Sequence, residues 1–197
     1  MTRKILIKFL FFYLIIFSNL SNAQNPDQFI ASITEEASNI LRQEVSKEIK
    51  TEKLITLAKK SVDIKGIGMY SLGKYKKTIT ENQLLEYQEL FELYFLKSFS
   101  SRLSEYTNPE IDVQDKEVLN EKYTIVNSIL KATNERPEIK ITWRVYTKDP
   151  TNPLIRDLII EGLSLARTQK EEFASILNSN NNDINALFKV LDEFSKN

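Results

Sequence analysis

The side chains of this sequence that could move a proton in catalysis are carboxylates, tyrosines and amines, because the chain contains neither His nor Cys. Disulfides, zinc sites of the usual Cys/His type and nucleophiles activated by His are therefore excluded. A carboxylate base beside a tyrosine donor in an apolar pocket remains, an arrangement that isomerases use. Asp157 with Tyr123 or Tyr146 is the candidate pair, and its geometry depends on the elements that carry these residues.

The longest element is an apolar helix predicted from Thr80 to Tyr106. Thr80 and Gln83 fit a capping box, in which each side chain accepts a hydrogen bond from a backbone amide at the helix start. No Gly or Pro follows before Tyr106. One face is an apolar stripe formed by Leu84, Tyr87, Phe91, Phe95, Phe99, Leu103 and Tyr106. Further Leu and Tyr residues widen it at mid-helix, so the helix needs cover on more than one side.

Other helices are predicted on both sides of a strand region. Asn25-Pro26 is typical of a helix start, and Asp63 is placed to cap a short helix. Gly66 and Gly68 in that helix allow a neighbour to pack closely. The predicted helices cover residues 26 to about 42, 46–61, 63–73, 80–106, 165–177 and 183–194.

Between residues 108 and 162 the apolar period changes to two, as in strands. A short first strand is predicted from Ile111 and Val113, with Val118 as a further candidate residue, followed by strands over 123–133, 137–147 and 154–161. Short connections imply an antiparallel meander, and Glu161-Gly162 is predicted to end the sheet. The predicted fold class is α+β: N-terminal helices, a four-strand antiparallel meander and two C-terminal helices, with a cone-like apolar pocket between the sheet and the long helix.

Residues 1–23 are typical of a secretory signal peptide. Arg3 and Lys4 give a positive start, residues 5–17 are apolar apart from Lys8, and Ser21-Asn22-Ala23 places small residues where a signal peptidase reads. The apolar run is shorter than the about 20 residues that span a bilayer, which argues against an uncleaved anchor. We predict cleavage after Ala23 and one exported domain over residues 24–197.

The charge balance argues against nucleic acid as a partner. The full chain carries 27 basic and 27 acidic residues. Residues 1–23 contain three basic residues and no acidic one, so the remaining chain is slightly acidic. Proteins that bind nucleic acid need a basic surface.

Four stretches, taken in order, resemble a known family. They are Leu72-Gly73-Lys74-Tyr75 before the long helix, Ser101-Arg102-Leu103-Ser104-Glu105-Tyr106 at its end, Glu161-Gly162-Leu163-Ser164-Leu165 after the last strand, and Phe173-Ala174-Ser175-Ile176-Leu177. Together they are similar to the MlaC family, also called toluene-tolerance auxiliary proteins of ABC transport systems. The resemblance covers essentially all of the chain after residue 23.

This resemblance implies a fold, a location and partners. The family's fold is a twisted antiparallel sheet wrapped by helices, of the nuclear-transport-factor-like kind, with acyl chains between sheet and helices and the head group outside. Members are periplasmic phospholipid carriers that maintain outer-membrane lipid asymmetry. The expected partners are a phospholipid, an MlaD-like subunit of an inner-membrane ABC transporter and an MlaA-like outer-membrane lipoprotein with its porin. No cofactor is expected, and the protein is expected to be a monomer.

A carrier of two acyl chains needs a long dry lining. Each methylene left in water costs roughly 0.8 kcal/mol, so two chains cost on the order of 20 kcal/mol. The candidate lining is the helix stripe Phe91, Phe95, Phe99 and Leu103, facing Ile125, Ile129, Ile141, Trp143, Val145, Leu158 and Ile160, with Met69 and Leu72 at the mouth.

Two alternatives stand beside the carrier. Cone-shaped α+β folds also host isomerases, which would use Asp157 with a tyrosine. A structural exported protein would use the same apolar residues as a filled core. On general grounds Asp157 and Arg156 are predicted at the surface or at the rim of the pocket.

Overall fold

The computed structural model of the protein describes residues 24–196. The predicted signal peptide and its cleavage site lie outside this range. The elements are α1 (Pro26–Arg42), α2 (Lys47–Ser61), α3 (Ile64–Leu72), a 3-10 turn (Gly73–Lys77), α4 (Glu81–Leu103), β1 (Ile111–Asn120), β2 (Tyr123–Leu130), β3 (Ile139–Tyr146), β4 (Leu154–Ile160), β5 (Leu163–Ser164), α5 (Leu165–Ser179) and α6 (Ile184–Lys196). None of the helices within 24–196 has the length and hydropathy needed to span a membrane.

The strands form one antiparallel sheet in the order β1-β2-β3-β4-β5, which confirms the meander. The prediction that the sheet ends at Glu161-Gly162 is wrong. Both residues have positive φ, 49° and 84°, and such a pair forms a two-residue hairpin turn that reverses the chain. The short strand β5 then pairs antiparallel with the end of β4, so the sheet has five strands rather than four.

Strand β1 is ten residues long, not short as predicted. Ile111 and Val113 at its start are half-buried, whereas its other residues are exposed. Most of this strand is therefore defined by its backbone pairing with β2. Apolar and polar residues alternate only in the half-buried part at its start. An exposed strand of this kind leaves no period-two pattern in the sequence.

The pairing register divides the sheet into two faces. Val126 lies opposite Trp143, and Trp143 lies opposite Leu158, so these three side chains point to the same side. We call this side the inner face; it carries Val126, Leu130, Ile139, Ile141, Trp143, Val145, Ile155, Leu158 and Ile160. The outer face carries Tyr123, Ile125, Asn127, Ile129, Lys140, Thr142, Arg144 and Tyr146.

Helices cover the inner face. α4 contributes Tyr87, Phe91 and Leu96 to the main hydrophobic cluster, which also contains most of the inner face and Phe173 of α5. Both halves of the predicted capping box at Thr80 are present. A smaller cluster joins α1 to α2 through Ile40, Leu41, Leu54 and Leu57.

The short helix α3 brings α4 close to β4. Asp63 caps α3 as predicted, because its Oδ1 accepts a hydrogen bond from the Gly66 amide at 2.7 Å. The Asp63 amide donates to the Ile155 carbonyl at 2.9 Å. Further along α3, the Tyr87 hydroxyl donates to the Gly68 carbonyl at 2.9 Å. The start of α4 is therefore held at the start of β4.

The absence of a side chain at Gly68 lets α3 pack closely against α4. A methyl group at this position would lie 2.7 Å from Cδ1 of the buried Phe91 ring. We expect Gly68→Ala to lower the free energy of unfolding by about 1–3 kcal/mol through overpacking, although Ala is the better helix former. Urea unfolding would measure the change. Phe91→Leu should relieve the clash, so the double variant should cost less than the sum of the single changes. A stabilising Gly68→Ala would contradict this packing.

Candidate functional site

The site predicted between the sheet and the long helix has two apolar walls, the inner face and α4. Burial along both walls changes in the same direction. On β3, Val145 is fully buried, Trp143 and Ile141 are 8% exposed, and Ile139 is half-buried. On β4, Ile155 is buried, whereas Leu158 and Ile160 are half-buried. On β3 and β4 the inner face is therefore buried at one end, which we call the closed end, and half-buried at the other, which we call the open end; the inner residues of β2 are buried along the whole strand.

The aromatic stripe of α4 shows the same change, although Leu96 and Ser100 near the end of the helix are buried. Tyr87 and Phe91 are buried, and Phe95 and Phe99 are half-buried. The rings of Phe95 and Phe99 stack at a centroid distance of 5.9 Å with an angle of 10° between their planes. Three residues beyond the helix, Tyr106 lies under Arg136 of the β2–β3 loop, with Cζ of Arg136 5.1 Å from the ring centroid. The two half-buried ends therefore lie at the same end of the molecule.

The closed end is anchored by the α3 contacts described above. Burial raises the pKa of the Tyr87 phenol far above its usual value, so Tyr87 is a neutral hydrogen-bond donor to Gly68 and not an acid or base. Phe173 of α5 meets Phe91 edge-on at 6.1 Å and 90°, so α5 packs against α4 at this end.

Most predicted lining residues lie on the two walls. Phe91, Ile141, Trp143 and Val145 are buried in the main cluster, and Phe95, Phe99 and Leu158 pack against it. Ile160 lies opposite Ile141 and so shares the inner face. Leu103 belongs elsewhere, because it packs against the smaller cluster between α1 and α2.

Ile125 and Ile129 were predicted on the wrong face. They lie opposite Arg144 and Lys140 on the outer face. The buried residues of β2 are Thr124, Val126, Ser128 and Leu130. Because two of these four residues are polar, the hydrophobicity of the sequence does not show which side of β2 is buried. Hydrogen bonding explains how Ser128 is accommodated: it donates to the Ile141 carbonyl at 3.2 Å and accepts from Trp143 Nε1 at 2.8 Å.

The predicted mouth at Met69 and Leu72 is also misplaced. Leu72 is only 1% exposed and belongs to the main cluster. Met69 is half-buried on α3, where its sulfur accepts a hydrogen bond from Gln88 of α4. α3 lies at the closed end of the walls, since it carries the contacts to Ile155 and to Phe91.

Sequence reasoning missed several wall residues, namely Val126, Leu130, Ile139, Ile155 and Phe173. The pairing register relates the first four to predicted residues: Val126 lies opposite Trp143, Ile155 lies opposite Val145, and Ile139 precedes Ile141 by two residues and pairs with Leu130. Phe173 follows the helical period of α5, with Leu177 one turn later, and both are buried. No local pattern places α5 against α4.

Two cavities lie in the helical layer instead. One of about 240 Å³ lies between α3 and α4 and is lined by Ile64, Tyr87 and Phe91 among others. The other, of about 400 Å³, lies between α4, α5 and α6 and is lined by Tyr94, Phe173 and Phe194 among others. The sequence predicts an open cone between sheet and α4; in the structure, the apolar side chains of both walls belong to the main cluster or pack against it. Entry of an acyl chain there requires the half-buried residues to move.

The candidate acid–base pair is not assembled. Asp157 is 3% exposed, not at the surface as predicted. It accepts hydrogen bonds from the Ser164 hydroxyl at 2.7 Å and the Ala166 amide at 3.0 Å, and Nη1 of Arg144 lies 3.7 Å away. The carboxylate thus holds the start of α5. Among residues 24–196 neither tyrosine hydrogen-bonds to it.

Tyr123 and Tyr146 contact Arg156 instead. The Arg156 guanidinium donates to the Tyr123 hydroxyl at 3.3 Å, lies 4.6 Å from the Tyr146 ring centroid and forms an ion pair with Asp63. Arg156 is half-buried, but its contacts place it beside outer-face residues rather than at the rim of the predicted pocket. This group joins the outer face to α3, away from the apolar walls.

Comparison with known proteins adds to this geometry. A solved structure described as a phospholipid-binding protein from Ralstonia solanacearum in complex with a phospholipid matches with a TM-score of 0.73. The identity is 18%, and the match covers 88% of this chain and 98% of that one, so the two share a fold. The family model for the MlaC protein matches residues 24–193. That range includes both walls, the α3 contacts and all five strands, and the chain belongs to the MlaC family.

Proposed function

We propose that this protein binds a phospholipid through its acyl chains and carries it without catalysis. The observation that carries the proposal is that apolar residues of β3, β4 and the aromatic stripe of α4 are only half-buried at the same end of the two walls. The family assignment supports it, as does a structural neighbour that is described as holding a phospholipid.

The chemistry of the walls suits such cargo. Between Phe91 and Phe99 on α4 and along β3 and β4, the inner residues are aromatic or aliphatic. Their attraction for hydrocarbon is non-directional and grows with the apolar area removed from water, about 25 cal/mol per Å². Sliding of an acyl chain along such walls breaks no hydrogen bond. A carrier needs this property, because it must release its cargo as well as bind it.

Location and partners follow from the same proposal. The signal peptide predicted over residues 1–23 would deliver the protein to the periplasm, with cleavage after Ala23. There it would shuttle phospholipid between the outer and inner membranes and so maintain outer-membrane lipid asymmetry. An MlaD-like subunit of an ABC transporter and an MlaA-like lipoprotein with its porin would exchange the lipid.

Mass spectrometry of lipids extracted from the purified protein tests the proposal. We expect about one phospholipid for each protein molecule after gel filtration, because one pair of walls is present. A buffer-matched sample of a periplasmic protein of similar size serves as the control for carried-over membrane. Protein that contains no lipid, and that takes up none from phosphatidylcholine vesicles, would overturn the carrier and favour a filled structural core.

A further inference from the structure

Among residues 24–196 three arginines are half-buried: Arg136, Arg144 and Arg156. In each, Nε is buried without a hydrogen-bond acceptor. Arg144 pairs with Asp157, and Arg156 pairs with Asp63. Arg136 differs, because no Asp or Glu within residues 24–196 forms an ion pair with it. A partly desolvated cation without a counter-charge is costly, which makes Arg136 the exception that calls for a partner.

The surroundings of Arg136 hold its guanidinium in place without neutralising it. Its Nη2 donates to the Lys131 carbonyl at 3.3 Å, and the guanidinium stacks on the ring of Tyr106 at 5.1 Å. Residue 136 also forms a bridge with Thr133 that closes the β2–β3 loop. These contacts use few of the five guanidinium N–H groups, and the remaining ones are a planar fork suited to a phosphate.

Arg136 lies at the open end of the apolar walls. The β2–β3 loop directly joins Leu130 to Ile139, which pair with each other on the inner face. Tyr106, which contacts Arg136, packs against the main cluster just beyond the half-buried stretch of α4. An amphiphile with its chains between the walls would therefore have its polar group beside Arg136.

We propose that Arg136 binds the phosphate of the lipid head group at the open end of the walls. The inference rests on the proposed function, which supplies the lipid. The acyl chains would provide most of the binding free energy, and Arg136 would provide a preference for lipids that carry a phosphate and a fixed orientation with the head group outward. Tyr106 and the Lys131 carbonyl act as positioning groups for the guanidinium.

A competition between two lipids with the same chains tests this role. The delipidated protein is mixed with dioleoylphosphatidylcholine vesicles that contain dioleoylglycerol, repurified by gel filtration, and analysed for both lipids. We expect Arg136→Gln to lower the bound ratio of phosphatidylcholine to dioleoylglycerol about tenfold, as for loss of a charge-assisted hydrogen bond. Lys140→Gln, on the exposed outer face of the same sheet end, removes an equal charge and should leave the ratio unchanged. Thermal unfolding verifies that each variant is folded.

Each outcome bears on one proposal or on both. An unchanged ratio in Arg136→Gln, or equal loss of both lipids, overturns the phosphate role while the carrier stands. Uptake of neither lipid by the wild type overturns both. Displacement of phosphatidylcholine by inorganic phosphate would assign Arg136 to a free anion and also overturn the inference. Should Arg136→Gln not fold, Arg136→Lys retains the charge but not the fork, and should lower the ratio about threefold.

Discussion

Replacing Phe95 by Glu should lower the amount of phospholipid bound per protein molecule at least tenfold while the protein remains folded. Phe95 is half-buried between Phe91 and Phe99 on α4, with ring centroids 6.1 and 5.9 Å away. In the lipid-free protein a carboxylate there can reach water. When an acyl chain covers it, the unpaired charge loses that water, which costs several kcal/mol. Lipid extraction and mass spectrometry of the purified variant give the measurement.

Leu93→Glu is the matched control, since Leu93 lies on the same helix and is 55% exposed. It introduces the same charge two residues away, and lipid content should not change. Ile141→Glu is less informative, because Ile141 belongs to the buried core and the variant should unfold. Full lipid content in a folded Phe95→Glu protein would show that the chains do not pass along α4.

The sequence predicts the elements whose patterns are local. The capping box at Thr80 and the uninterrupted stripe locate α4 to within three residues at its end. The alternation around Trp143 locates β3 and its buried side correctly. The resemblance in four short stretches agrees with the family match over residues 24–193. In the helix and the strand, the spacing of the apolar residues fits only one type of secondary structure and only one buried face.

Prediction from the sequence fails where contacts with another part of the chain decide whether a residue is buried. In β2 both phases contain apolar residues, and only pairing with β3 shows that Val126 rather than Ile125 faces inward. Asp157 is read as a surface group from its type alone, whereas Ser164 and Ala166 satisfy it when buried. The location of the opening likewise depends on α3 meeting both β4 and α4 at one end, which no spacing in the sequence encodes.

This arrangement also explains why a filled interior is compatible with carrying cargo. The tight contacts, such as Gly68 with Phe91, lie at the closed end. At the open end, Phe95 and Phe99 contact the cluster but remain half-buried, so their displacement exposes less additional apolar area than displacement of a core residue. We infer that an acyl chain replaces apolar protein–protein contacts at this end with apolar protein–lipid contacts. Because the two kinds of contact are similar, the free-energy difference between the empty and the loaded protein stays small enough for both loading and release.

Substitution of Asp157 should have the second large effect, a loss of stability, and this loss distinguishes a structural role of the carboxylate from a catalytic one. Asp157→Ala should lower the free energy of unfolding by about 2–4 kcal/mol, because it leaves the Ser164 hydroxyl and Ala166 amide without their acceptor and Arg144 without its counter-charge. Urea unfolding measures this loss. Asp157→Asn keeps an acceptor for the amide and should lose about half as much, whereas Asp112→Asn, at an exposed position of β1, should be neutral. An isomerase base could be removed with little change in stability, so an Asp157→Ala protein as stable as the wild type would contradict the structural role and return attention to catalysis.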